Sequence, residues 1–542
     1  MSSPSLHSSD KEKGHEAHHE YVGKALDAPY LSPAEEKKLM RKIDYKLVPF
    51  LSLLYLLSFL DRVNIGQARL DGLEKDLHLK GNQYQIALVV FFVGYVSTEI
   101  PGNILLKKMR PSRFIPAIMI SWGIVMTLMG TCTNFGGIVA ARFILGLTES
   151  VLFPGICFYL VSWYKRNESN LRIAIFFSSA TLSGAFGGLL AYGLSKMAGV
   201  GGKGGWAWIF IIEGLLTFIV GCISPWMIED FPEEAKFLTS VEREHVVRRL
   251  REDTGAAGSF KWKYVMDAFK DWKTYVFALI YIGVAEPLYA LSLFSPTIIS
   301  ELGTFSRAQS QLLSTPPYAL AFFITLATAI YSDRIQRRGI FNIFWMTVVV
   351  IGYGILIGIE TKKHPGVAYF AVFLCVCGVA PCIANSEGWE MCFAAWRKLT
   401  FSFPSPPPPA IVWTGNNFAG VLKRGTSMGV MFAVGNSGGI VSSLVYRNQD
   451  TPRFILGHAV GLGFAGMSVL LSIFMMFYFQ RENARRDEVY GKVPDYILGA
   501  NGEELSAVAD DPEIRRRFGL DGMADEEIES LGDKNPLFRY WT

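Results

Sequence analysis

The sequence predicts an all-α membrane protein: twelve transmembrane helices in two six-helix pseudo-repeats, with cytosolic N- and C-termini. Three observations lead there. Of the 542 residues, 50% are hydrophobic and only 18% are charged, less charge than a soluble chain of this length carries. Apolar windows of about 20 residues, the length a helix needs to cross the hydrocarbon core, recur along the chain. A charged stretch then splits these windows six and six.

Residues 1–45, opening MSSPSLHSSDKEKGHEAHHE, are polar and have no apolar h-region. They read as a disordered cytosolic tail, with His15, His18 and His19 solvated rather than holding a metal. With no cleavable signal, the first span itself directs insertion. Spans near 46–66, 83–105, 114–133, 136–159, 172–194 and 206–227 make the first bundle, 46–227. The segment 228–272, with EDFPEEAKF and VEREHVVRRLRED, is too polar to span and reads as a cytosolic loop carrying an amphipathic helix. Spans near 273–298, 311–332, 340–359, 366–385, 426–446 and 455–479 make the second bundle, 273–480, and 481–542 is a cytosolic tail. Orientation follows from short basic turns, KKMRPSR, YKRNESNLR, DRIQRRG and LKRG, which stay on the cytosolic side. Asn167, in an N-x-S/T sequon, then falls in a cytosolic turn and is expected to be unglycosylated.

Net charge is only +4, which argues against a nucleic-acid partner. Six cysteines fall in apolar segments, where they act as small hydrophobes, and Cys392 lies in a loop. Cys375, Cys377 and Cys382 lack the paired spacing of a zinc site. No metal or cofactor is expected, and no nucleophile–base set points to an enzyme. A monomer in the lipid bilayer is expected.

The polar residues inside the spans carry the functional argument, because a charge in the hydrocarbon region is costly and marks a pathway. The first span holds Asp61, Arg62 and Asn64. The fourth holds Arg142 and Glu149, seven residues apart and so on one helical face. Two arginines and two carboxylates therefore reach overlapping depths in one half. A structural ion-pair cluster is the plain reading, yet small residues hold membrane helices together at lower cost. Guanidinium forks suit a carboxylate substrate, and neighbouring acids suit a coupled proton. Phe59, two residues before Asp61, is placed to floor a pocket for a flat ring. Glu286, just before Pro287 in the seventh span, is a further proton-coupling candidate. Glu99 is read as serving the gate or the basic turn, and Phe91, Phe92 and Trp163 as facing lipid or its interface.

Two stretches, GNILLKKMRPSR (Gly102 to Arg113) and AIYSDRIQRRG (Ala329 to Gly339), each follow the second span of a half. They resemble the G-x-x-x-D-R-x-G-R-R turn of the major facilitator superfamily, although Leu106 stands where the first copy's acid is expected and Ala329 replaces the second copy's glycine. The resemblance implies the major facilitator fold, a site near the midplane, and alternating access by rocking of the halves. It also implies a conformational gate at Asp333, Arg334, Arg337 and Arg338.

FLDRVNIGQA, GYVSTEIPGN, ARFILGLTESVLFPG and WTGNNFAGVLKRGTSMGVMFAVGNSGG together resemble the anion:cation symporter (allantoate permease) family over about residues 40–485. Within it, the wording and the ending NPLFRYWT are most similar to fungal high-affinity nicotinic acid permeases. The resemblance implies that Arg62 and Arg142 hold the substrate anion, that Asp61 and Glu149 carry the proton, and that Tyr95 and Asn436 contact substrate. The expected function is proton-coupled import, across the plasma membrane, of a small organic anion: nicotinate or a related vitamin or nitrogen-source carboxylate. A metabolite or drug exporter of the same fold and a non-transporting nutrient sensor are the alternatives.

The family runs almost directly from GVAPCIAN to WTGNNFAG, but here Ser386 to Ile411 intervenes with four consecutive prolines, which exclude helix. It reads either as a flexible cytosolic loop or as a retained intron. Ser-Glu-Gly can be encoded from A-GTGAGG, Leu399-Thr400 can contain CTAAC, and FSFPSPPPP can be a pyrimidine tract.

Overall fold

The computed structural model describes residues 31–106, 109–164, 166–254, 262–303, 305–335, 338–384, 421–492, 512–523 and 535–540. Every regular element among the described residues is helical. The first half has α1 (Pro33–Leu70), α2 (Gln83–Leu106), α3 (Pro111–Met129), α4 (Phe135–Glu149, resuming as Leu152–Val161), α5 (Arg166–Ser195) and α6 (Gly205–Met227). The second has α7 (Trp272–Glu301), α8 (Arg307–Ile335), α9 (Arg338–Gly358), α10 (Pro365–Ala384), α11 (Val421–Val445) and α12 (Ile455–Tyr490). Among the described residues nine helices are long and apolar enough to cross a membrane, and α2, α5 and α8 fill the second, fifth and eighth places.

Three parts of the chain depart from the sequence expectation. Helix α1 begins at Pro33, so the end of the expected tail is ordered. Ser32 starts it with a capping box: its hydroxyl accepts from the Glu35 N–H, and the Glu35 carboxylate accepts from the Ser32 N–H. Leu39, Met40, Ile43 and Leu47 are buried on one side, while Glu36 pairs with Arg249 and Lys42 with Glu242, each at 2.7 Å. Those partners lie on Ser240–Thr254, one of two helices, with Trp262–Lys270, in the segment expected to carry one. At the other end, part of the C-terminal segment is docked. Phe518, Leu520, Leu537, Phe538 and Tyr540 pack with Phe277 and Ile280 of α7 and Met475 and Phe479 of α12. The insertion 386–411, with Cys392, and the side chain of Asn167 lie outside the described residues.

Prolines shape the helices that carry the polar residues. The break in α4 falls just after Glu149, at Ser150 and Val151. Pro154 explains it: its ring has no N–H to give the Ser150 carbonyl and crowds it. Helix α7 runs unbroken through Pro287 and Pro296.

The two halves meet along α1–α7, α2–α11 and α5–α8. Several of their polar contacts lie at the ends assigned as outer. Gln67 donates to Ser314 at 3.2 Å, Gln311 to Asp71 at 3.0 Å, Gln85 to the Tyr446 carbonyl at 3.2 Å and Thr315 to the Ala185 carbonyl at 3.1 Å. Arg69 also donates to Asn448. Gly66 lets α1 lie directly on the Leu293 carbonyl of α7, where any side chain would collide. At the inner end, ion pairs run within each half, Asp44 with Arg172 at 2.9 Å and Asp271 with Lys423 at 2.7 Å. The outer gate is closed.

Candidate substrate and proton site

The site begins with the helical geometry of α1. Ser58 and Arg62 are four residues apart and share a face; Asp61 and Asn64 are three apart and share another. The first face meets α4. Glu149 Oε1 accepts from Ser58 Oγ at 2.7 Å, Arg62 Nε at 2.9 Å and Arg62 Nη2 at 2.6 Å. The Arg62 guanidinium lies 4.8 Å from the Tyr95 ring centroid, 5.4 Å from Phe59 and 5.8 Å from Phe91, within the range of cation–π attraction. The Arg142 guanidinium contacts the same Phe91 ring, 4.6 Å from its centroid. It is fully buried, and none of its three guanidinium nitrogens has a hydrogen-bond partner.

The second face of α1 turns into the first bundle. Asp61 Oδ2 accepts from Trp122 Nε1 on α3 and Thr217 Oγ1 on α6, both at 2.9 Å. Asn64 donates to Glu213 of α6. Asp61 thus hydrogen-bonds away from the two arginines, although the Glu149 charge reaches it. Adjacent residues on a helix point about 100° apart, which separates it from Arg62.

Across the interface, Asn436 of α11 accepts from the Tyr289 hydroxyl at 2.7 Å and donates to both Glu99 oxygens at 3.3 Å. Glu99 therefore joins the two halves, within electrostatic range of Arg62. Phe59 also lines a small apolar cavity between the halves with Ala180, Leu288, Leu291, Ser292 and Tyr318.

The structure brings Arg62, Glu149, Tyr95, Phe59 and Arg142 together, with Asn436 joined through Glu99 and Tyr289. It keeps Glu286 apart. Glu286 is fully buried with neither oxygen hydrogen-bonded, inside the second bundle and within electrostatic range of Tyr353 and Tyr446. Phe91 and Phe92, expected at the lipid face, are buried: Phe91 contacts both arginines, and the Phe92 ring centroid lies 5.0 Å from that of Tyr289. Trp163 is likewise buried, donating to the Asp230 carbonyl at 3.2 Å. Their hydrophobicity suits lipid and helix interface equally, so composition does not separate the two. The side chains of Asp333, Arg334, Arg337 and Arg338 lie outside the described residues.

Sequence reasoning passed over Glu213 and Tyr289. Glu213 carried the same signal as Glu149 and Glu286, an acid in the middle of a span. Tyr289 carried none, because a tyrosine in an apolar helix is ordinary.

Residues 51–443 match the sequence model described as Major Facilitator Superfamily. The chain belongs to this superfamily. "Uncharacterized transporter C1002.16c" of Schizosaccharomyces pombe is 36% identical, covering 86% of this chain and 88% of its own. "MFS-type transporter cnsO" of Penicillium expansum is 32% identical over 94% and 91%, and "Major facilitator-type transporter hxnP" of Emericella nidulans is 31% identical over 88% and 93%. Among solved structures, an inward-facing bacterial homologue of the human lysosomal transporter Spinster aligns with a TM-score of 0.55. It is 14% identical and covers 80% of this chain and 95% of its own. A point mutant of the nucleoside transporter NupG aligns at 0.52 with 15% identity over 79% and 99%. At these identities the structures attest the fold. This multi-pass membrane protein is a secondary transporter of the superfamily, not an enzyme.

Proposed function

We propose that this transporter is a member of the anion:cation symporter family that imports a small carboxylate with protons across the plasma membrane, nicotinate or a close relative being the substrate. The observation that carries the reading is Arg142, a buried guanidinium with no hydrogen-bond partner on any nitrogen. Leaving one buried charge unpaired costs about 3–5 kcal/mol, and a substrate carboxylate supplies the missing acceptors in bidentate form. The Phe59, Phe91 and Tyr95 rings around Arg62 favour a flat aromatic acid. Glu149 pairs with Arg62; protonating Glu149 releases the guanidinium for the substrate, so proton and anion promote each other's binding.

The test is uptake of labelled nicotinate by yeast lacking its own permease, at acid and neutral external pH, with and without a protonophore. Acid-stimulated, protonophore-sensitive uptake is expected, falling at least about tenfold in Arg62→Lys, because an ammonium cannot reproduce the guanidinium fork. Uptake by well-expressed protein that ignores both pH and protonophore would refute the coupling. Full activity in Arg62→Lys would refute bidentate capture.

A further inference from the structure

Behind the Arg62 cluster, α1 and α6 are laced together by two side-chain bonds. Asp61 and Asn64 lie one turn apart on α1, and Glu213 and Thr217 one turn apart on α6. Thr217 donates to Asp61 and Asn64 to Glu213, so the two carboxylates sit on neighbouring rungs, with the Asp61 charge reaching Glu213. Asp61, Glu213 and Asn64 are at most 1% exposed.

The donors and acceptors at these rungs do not balance. Trp122 Nε1 and Thr217 Oγ1 both donate to Asp61 Oδ2, and Asn64 Nδ2 donates to Glu213 Oε2. Asp61 Oδ1, Glu213 Oε1 and Asn64 Oδ1 are buried acceptors with no donor. The groups hydrogen-bonded to the pair, Asn64 of α1, Trp122 of α3 and Thr217 of α6, are neutral. The charge reaching Asp61 from α4, that of Glu149, is negative, and the nearby cation Arg62 is turned to Glu149. Two carboxylates sharing a low-dielectric site without a cation do not both ionise; they titrate as one unit. A proton on the pair removes one charge and supplies the donor that the orphaned oxygens lack.

We infer that Glu213 and Asp61 together form an occluded proton-binding site in the core of the first bundle, distinct from the substrate-facing Glu149. This rests on the proton-coupled reading and adds to it the residue that holds the proton with Asp61. On loading, a hydronium from the outer side gives its proton to a carboxylate oxygen, leaving water and a neutral carboxyl. On release, that O–H bond breaks to water on the cytosolic side. Glu213 needs no contact with the anion, so its loss is read in the coupling and not in substrate exchange.

Two measurements test this. The first needs no substrate: infrared spectra of the purified protein at neutral pH report the carbonyl stretch of protonated carboxyls. Wild type minus Glu213→Gln is expected to show the loss or shift of one such band, and Asp61→Asn to disturb the same band. No change in that region in Glu213→Gln overturns the proton site, whatever the transported substrate. The second uses proteoliposomes with labelled nicotinate, comparing accumulation driven by a pH gradient with counterflow at equal pH. Glu213→Gln keeps the shape and the bond to Asn64, so gradient-driven accumulation is expected to fall at least tenfold while counterflow stays within twofold of wild type, with Glu213→Asp recovering part of the gradient response. Full accumulation in Glu213→Gln, or equal loss of both activities, overturns the coupling role. Wild type that ignores the gradient instead refutes the symport reading, and the infrared result still stands.

Discussion

A single ring, Phe91, is contacted by two arginines in different states. Arg62 is satisfied by Glu149 and by three aromatic faces, whereas Arg142 has a ring on one face and no hydrogen bond. An uncompensated buried charge costs about 3–5 kcal/mol, and an apolar chain of similar length removes that cost. Arg142→Met is therefore expected to abolish uptake while leaving the melting temperature in detergent unchanged or higher. A structural arginine would behave in the opposite way, losing stability first. A destabilised variant that still transports would remove Arg142 from the substrate site.

At the scale of helices, α2 and α4 hold this arrangement through a close approach. Gly146 of α4 faces the Phe91 carbonyl of α2 so closely that any side chain would collide with backbone. Gly146→Val must push the helices apart at a cost of about 1–3 kcal/mol, and it moves the ring that both arginines contact. Lower thermal stability together with lost uptake is expected; normal values of both would show that the helices separate without cost. The same helices show what the sequence could reveal. Arg62, Arg142 and Glu149 were legible because a charge inside an apolar run is conspicuous, and the period of 3.6 put the last two on one face. The direction of Asp61 was not legible: a helix surrounded by protein has polar neighbours on several sides, and periodicity does not say which helix lies on which. The same ambiguity hid the burial of Phe91 and Trp163. The start of α1 at Pro33 was written in the Ser32 and Glu35 capping pair, but the surrounding charge masked the apolar face of Leu39, Ile43 and Leu47.

At the scale of the whole molecule, the closed outer gate is itself a titratable joint. Asp71 lies past the end of α1, outside the spanning segments, and accepts from Gln311 of the other half. Burial pushes its carboxyl up to about 6, against the opposing pull of the Gln311 amide and the Arg307 charge. When the gate opens and water reaches Asp71, the value returns to about 4. The closed gate thus binds this proton more tightly than the open one. Below about pH 4 the group is protonated in both states and favours neither; as pH rises from about 4 to about 6, the closed gate loses stability, and above that the loss is complete. Acid outside therefore favours the closed gate, the direction the proposed import requires. The check is alkylation from outside of a cysteine placed at the gate, Ser314→Cys, in a background without other cysteines. Its rate is normalised to an always-exposed Lys80→Cys to cancel the pH dependence of the reagent. Labelling is expected to be faster at neutral than at acid pH, with the difference vanishing in Asp71→Asn. A pH difference that persists in Asp71→Asn would place the sensor elsewhere in the gate, and equal labelling in the parent would show that the outer joint does not respond to protons at all.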